Sequence, residues 1–220
     1  MAEARELREV SPAVMLYRAQ FLKRSGKEAA AVQEEQRAAE TKPQTALDHF
    51  LLGGLRSGDS VAHYKSALQI EPDHAPSYMR LGQHYKRSKQ TEQAELCFTA
   101  CAALLPENPF VFFYRGKFYQ EIGQPDGAVD DYTKAMQLRP DFWAYHELRG
   151  CAYAELQRYR EAVDDFTAAL KLSRNRRWEE AAITRTMLCP GAILPKRWIT
   201  VRPVSGQRSA ASPAIRVNSA

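Results

Sequence analysis

Residues 75–106 read APSYMRLGQHYKRSKQTEQAELCFTACAALLP, and residues 109–140 read PFVFFYRGKFYQEIGQPDGAVDDYTKAMQLRP. Laid over one another at a step of 34, the two lines agree at glycine (Gly82, Gly116), tyrosine (Tyr85, Tyr119), alanine (Ala94, Ala128), an aromatic (Phe98, Tyr132) and proline (Pro106, Pro140). One further step gives Gly150, Tyr153, Ala162, Phe166 and Ala169, with Arg174 where proline would stand. One step back gives Ser60, Tyr64, Ala67 and Pro72. A fixed period of this length is the signature of a stacked array of identical units.

The columns describe a pair of antiparallel helices. Gly82 and Tyr85 share a face of the first; the second opens at Thr91 or Glu92 and carries Ala94, Phe98 and Cys101 as one stripe. Small residues at Gly82, Ala94 and Cys101 let the helix axes approach, and Tyr85 and Phe98 fill the space beside them. Asp73 is expected to cap the first helix, and Pro106 to end the unit. Asn108-Pro109 and Gln124-Pro125 read as a cap and a proline-led start of the next two helices.

This order of residues resembles the tetratricopeptide repeat, carried by Tyr78, Leu81, Gly82, Tyr85, Ala94, Phe98 and Pro106, then by Phe112, Gly116, Tyr119, Ala128, Tyr132, Ala135 and Pro140, then by Gly150, Tyr153, Ala162, Phe166 and Ala169. The resemblance implies an all-α, right-handed helical-hairpin solenoid. Two departures stand out: Arg115 and Arg149 replace the usual leucine before glycine. The expected organisation is an N-terminal helical segment over 1–43 (a degenerate hairpin or a plain cap), a shortened repeat over 44–74, and three units at 75–108, 109–142 and 143–174. In the shortened repeat Gly53 is a candidate for the glycine column. A capping helix over 175–188 and a basic, disordered tail over 189–220 follow. Acid-free composition after the repeats stop is also the pattern of a truncated or frame-altered end.

Charge and composition narrow the function. The chain of 220 residues carries a net charge of +5, with 31 Lys and Arg against 26 Asp and Glu. Lys196, Arg197, Arg202, Arg208 and Arg216 supply that excess, so residues 1–188 are neutral. A neutral body argues against nucleic acid as its ligand. The first nine residues alternate charge without an apolar run, and no stretch is long enough to span a membrane, so the expected location is cytoplasmic.

No motif points to catalysis or a cofactor. His49, His63, His74, His84 and His146 show no metal-ligand spacing and read as surface or groove histidines. Cys97 and Cys101, one turn apart, read as buried packing thiols. The doublets Asp130-Asp131 and Asp164-Asp165 recur at one repeat position and read as solvated helix faces. There is no phosphate loop and no nucleophile constellation, and neither enzyme nor metal site is expected.

The family resemblance implies instead that the first helix of each unit lines a groove for a protein or peptide ligand. Carried over by position, the lining is Met79, Gln83 and Lys86, then Phe110, Phe113, Lys117 and Gln120, then Glu147, Cys151 and Ala154. Phe113 and Met79 would anchor apolar side chains and Lys86 and Lys117 an acidic group; the alternative is that Phe110 and Phe113 pack on the neighbouring repeat. The carboxylate clamp of chaperone-tail binders is not reproduced, since its positions carry Thr45, His49, Arg80, Phe110 and Tyr114 in one register and Met79, Gln83, Tyr114, Ala144 and Leu148 in the next. Segment 98–104 with Arg115-Gly116 is also similar to repeat tails of bacterial serine/threonine kinases, which would make the chain a detached regulatory or docking module. A helical-repeat nucleic-acid binder and self-association through the C-terminal end complete the readings.

Overall fold

The computed structural model describes residues 11–55, 59–173, 200–202 and 214–216. The chain divides into two compact units, Met1–Leu105 and Pro106–Ala220.

The first unit holds α1 (Pro12–Arg24), α2 (Glu28–Glu40), α3 (Ala46–Leu55), α4 (Ser60–Ile70), α5 (Ala75–Arg87) and α6 (Thr91–Leu104). They pair as hairpins α1–α2, α3–α4 and α5–α6; α1 also packs on α3, and α4 on α5. The second unit holds α7 (Pro109–Glu121), α8 (Pro125–Leu138), α9 (Trp143–Glu155) and α10 (Tyr159–Ser173). Here α7 pairs with α8 and α9 with α10, while α8 and α9 join the two hairpins.

Four of the five hairpins close on the same contact between a helical glycine and an aromatic ring. A Cβ built on Gly82 would stand 3.1 Å from the Phe98 ring, on Gly116 2.8 Å from Tyr132, and on Gly150 3.0 Å from Phe166. Gly53 meets Tyr64 in the same way, at 2.6 Å, so it fills the glycine column of the shortened repeat. Ala94, Ala128 and Ala162 are fully buried beside these rings, as are Ala67, Ala135 and Ala169 further along the second helices. In the segment 1–43, α1 and α2 form a hairpin of their own, packed through Ala19, Ala31 and Ala38.

Four of the hairpins turn through one backbone device. After α1, α5, α7 and α9 a residue in the left-handed region follows the helix: Gly26, Lys89, Gly123 and Gln157. The next amide then donates back over the end of the helix, Lys27 to Leu22 at 2.9 Å, Gln90 to Tyr85 at 2.9 Å, Gln124 to Tyr119 at 2.8 Å and Arg158 to Tyr153 at 2.8 Å. This satisfies carbonyls that the helix end leaves open.

Helix starts follow the sequence closely, although α8 opens at Pro125 without a side-chain capping bond from Gln124. Asn108 accepts the Phe110 amide at 3.0 Å ahead of Pro109, and α6 opens at Thr91. Asp73 does not cap α5: the capping position falls to His74, whose Nδ1 meets the Ser77 hydroxyl at 2.8 Å. Within 189–220, where disorder is expected, Thr200–Arg202 pairs antiparallel with Ala214–Arg216. The expected capping helix over 175–188 and the rest of that tail lie outside the described residues.

Candidate interaction surface

In the first unit, Met79, Gln83 and Lys86 recur along α5 at helical spacing and are all half-buried, leaving a mixed apolar and polar strip open to solvent. Cys97 and Cys101 on α6 are buried. Burial pushes the Cys101 thiol up to about 11, with the neighbouring Cys97 adding to the rise, and raises Cys97 as well. Neither is a nucleophile at neutral pH.

In the second unit the proposed lining separates into two groups. Phe110 remains open, with 46% of its surface exposed, and Tyr114, one turn further on α7, keeps 40%. Beside them the guanidinium of Arg139 lies 5.9 Å from the Phe110 ring and 5.0 Å from that of Phe142. Arg139 and Phe142 lie outside the positions that the family pattern gives; Tyr114 occupies a clamp position and stands four residues after Phe110 on one helix face.

The other group is engaged within the fold. Phe113 packs into the core of Ala128, Val129, Tyr132 and Ala152. Its ring stands 5.2 Å from Tyr114 and 5.8 Å from Tyr145 of α9, and the Lys117 ammonium lies 5.6 Å above it. Phe113 therefore joins α7 to the neighbouring hairpin, and Lys117 covers it. Gln120 accepts the Tyr132 hydroxyl and donates to Glu155, each at 2.8 Å. Cys151 is buried with Ala154, Ala162, Val163 and Phe166, which leaves it little surface to line a groove. Glu147 is half-buried.

The aspartate doublets need a correction. Asp130 and Asp164 are exposed, but Asp131 and Asp165 are buried, at 4% and 5%. Arg115 donates to both oxygens of Asp131, Nε at 2.8 Å and Nη2 at 2.7 Å. Arg149 does the same to Asp165, at 2.7 and 2.8 Å, and its Nη1 reaches the Thr133 hydroxyl on α8 at 3.0 Å. His146 donates a further hydrogen bond to Asp165 at 3.1 Å. The arginines that depart from the repeat pattern are thus the partners of the buried acids. At the corresponding places of the α5–α6 hairpin stand Leu81 and Cys97, in one apolar cluster with Tyr64.

Comparison with known proteins agrees with this geometry. Residues 75–108 and 113–142 match one family model described as tetratricopeptide repeat, and residues 143–176 match a second of the same description. MamA from Desulfovibrio magneticus RS-1 is similar in structure, with TM-score 0.62 and 20% identity, covering 76% of this chain and 97% of that one. TTC0263, a thermophilic tetratricopeptide-repeat protein in Thermus thermophilus, gives TM-score 0.56 at 20% identity, covering 81% of this chain and all 100% of its own. At such identity the likeness is one of fold. No curated protein sequence matches the chain. No helix among the described residues is long and apolar enough to cross a membrane.

Proposed function

Since the chain is a tetratricopeptide-repeat protein of the all-α helical-hairpin solenoid class, we propose that it is a non-enzymatic interaction module whose second unit grips a peptide segment of a partner on the open face of α7. The observation that carries this reading is the pair Phe110 and Tyr114, large aromatics one turn apart that keep 46% and 40% of their surface exposed. Aromatic and arginine side chains carry a disproportionate share of binding energy at protein interfaces. Arg139, 42% exposed and only loosely paired with Asp141 at 3.5 Å, supplies the cation beside them. The guest this surface suits is a segment with an apolar side chain next to an acidic one.

Phe113, Lys117 and Gln120 support the surface from beneath rather than gripping the guest, because their contacts are already made within the fold. On α5, Met79, Gln83 and Lys86 offer a separate strip for the same kind of guest. A chaperone C-terminal tail is not the expected guest.

Affinity capture with the full chain beside a Phe110→Ala, Tyr114→Ala variant tests the reading. Both residues are exposed, so the variant keeps its helical signal and melting behaviour. A partner captured by the native chain and lost from the variant supports the proposal. Capture of the same partners at equal yield by both overturns it.

A further inference from the structure

A cluster in the first unit is untouched by the interaction surface. His49 of α3 and His63 of α4 meet with their Nδ1 atoms 3.3 Å apart, their ring centroids at 5.5 Å and their planes at 47°. In this arrangement one ring donates its Nδ1–H to the other. The same separation is the edge of a tetrahedron whose centre lies about 2.0 Å from each corner, which is the distance imidazole nitrogen keeps from zinc. Both residues are half-buried, so the edge is within reach of solvent while the rings are held by their helices.

We propose that His49 and His63 form a two-imidazole site for a divalent transition metal ion of the zinc type, clipping α3 to α4. The donor set decides which ions enter. Imidazole suits Zn2+, Ni2+ and Cu2+, whereas Mg2+ and Ca2+ take oxygen ligands. Among the described residues no group of three or more His, Cys, Asp or Glu side chains converges, so water completes the coordination and the ion exchanges readily. Asp48, the acid next to His49, is engaged elsewhere: its carboxylate accepts the Ser11 hydroxyl and, at 3.4 Å, the Gln44 amide.

Imidazole takes a metal ion on an unprotonated ring nitrogen, so metal and proton compete for these two Nδ1 atoms. When the donating ring takes the metal on Nδ1, its proton moves to Nε2 through solvent. Two helices must be folded against each other to present both nitrogens, and metal binding is therefore coupled to closure of this hairpin.

Thermal unfolding of the full chain at pH 7.5 tests the site, with Zn2+ as probe and Mg2+ as control. Zinc at tenfold its half-saturating concentration raises the unfolding midpoint by about 3–6 °C, and a chelator reverses the rise. The rise is absent with Mg2+ and lost in His63→Gln. A zinc-dependent rise that persists in His63→Gln overturns the proposal, as does an equal rise with Mg2+. Imidazole 15N resonances of the unaltered chain give a second readout that needs no variant. Zinc shifts His49 and His63 together at one titration midpoint, and resonances that stay in place with added zinc refute the site.

Discussion

Arg115 and Asp131 bind one another through two parallel hydrogen bonds of 2.8 and 2.7 Å, between helices whose equivalents in the preceding hairpin meet through Leu81 and Cys97. Successive repeats thus contain two chemical solutions to the same packing problem. A planar guanidinium matches a carboxylate fork to fork, and its faces also lie over Phe112 and Tyr119 at 5.7 and 5.8 Å.

The two solutions predict a strongly non-additive cycle. Arg115→Leu alone leaves a buried carboxylate without its partner and costs about 2–4 kcal/mol, at or below the usual range because Arg115 keeps some solvent contact. Asp131→Cys alone strands the guanidinium at similar cost. The double variant Arg115→Leu, Asp131→Cys rebuilds the α5–α6 arrangement and returns to within about 1 kcal/mol of the native chain. Urea unfolding of the four proteins measures the coupling; additive costs in the double variant would show that the pair and the apolar contact are not interchangeable.

The two buried aspartates respond to acid in opposite directions. Burial pushes both carboxyls up. In Asp131 burial outweighs the hydrogen bond and charge of Arg115, and neighbouring Asp130 adds to the rise. In Asp165 the hydrogen bonds and charges of Arg149 and His146 outweigh burial and hold the group below the usual range. A raised group contributes stability below its unfolded value, near about 3.9, and loses it as pH climbs through the folded value. A lowered group contributes above the unfolded value and loses that contribution as pH falls through the folded one. Between about pH 3 and pH 6, Asp131→Asn therefore gains on the native chain as pH rises, while Asp165→Asn falls further behind it. Denaturant midpoints across that range decide the matter, and slopes of the same sign for both variants contradict it.

The fold was legible because glycine, alanine and the aromatic rings sit in contacts that recur in the four hairpins from α3 to α10 and tolerate little else. Gly53 could be matched to Tyr64 for the same reason, despite the shortened first helix. The ion pairs were half legible. Arg115 and Arg149 stood out as departures, and the aspartates as a repeated doublet, but each partner lies 16 residues away on another helix, and adjacency within the doublet suggested a solvated face. Position along a helix does not say what the next element covers: Phe113 takes the alternative reading and packs towards Tyr145, and Cys151 is covered by the α10 core. The approach of His49 to His63 has no period at all and is purely tertiary.

Two of the four left-handed turn positions carry residues that dislike that conformation. Lys89 and Gln157 stand at φ 57 and 59, where Gly26 and Gly123 stand in the other two turns. An L-residue with a side chain bears a cost of about 1 kcal/mol there that glycine avoids. Lys89→Gly and Gln157→Gly are each expected to stabilise the chain by about 0.5–1 kcal/mol, less the extra entropy of glycine in the unfolded state. Thermal unfolding of the single and double variants measures this, and a lowered midpoint in both would count against the turn argument.

Glycine within the helices gives a test of opposite signs. Alanine is favoured over glycine in a helix by about 0.8–1 kcal/mol, so a helical glycine needs a reason. At Gly116 the reason is Tyr132: a new Cβ would lie 2.8 Å from a ring that is fully buried and whose hydroxyl is tied to Gln120. The ring has no free direction in which to yield, and overpacking costs about 1–3 kcal/mol, which outweighs the propensity gain. At Gly54 a Cβ meets, among the described residues, only the Tyr17 hydroxyl, at 4.0 Å, and the position is exposed. Gly116→Ala is therefore expected to destabilise by about 1–2 kcal/mol, and Gly54→Ala to stabilise by a few tenths up to about 1 kcal/mol near the end of α3. Denaturant unfolding compares them directly. If Gly116→Ala is as stable as the native chain, the close glycine–aromatic contact is not what holds the repeat glycine in place.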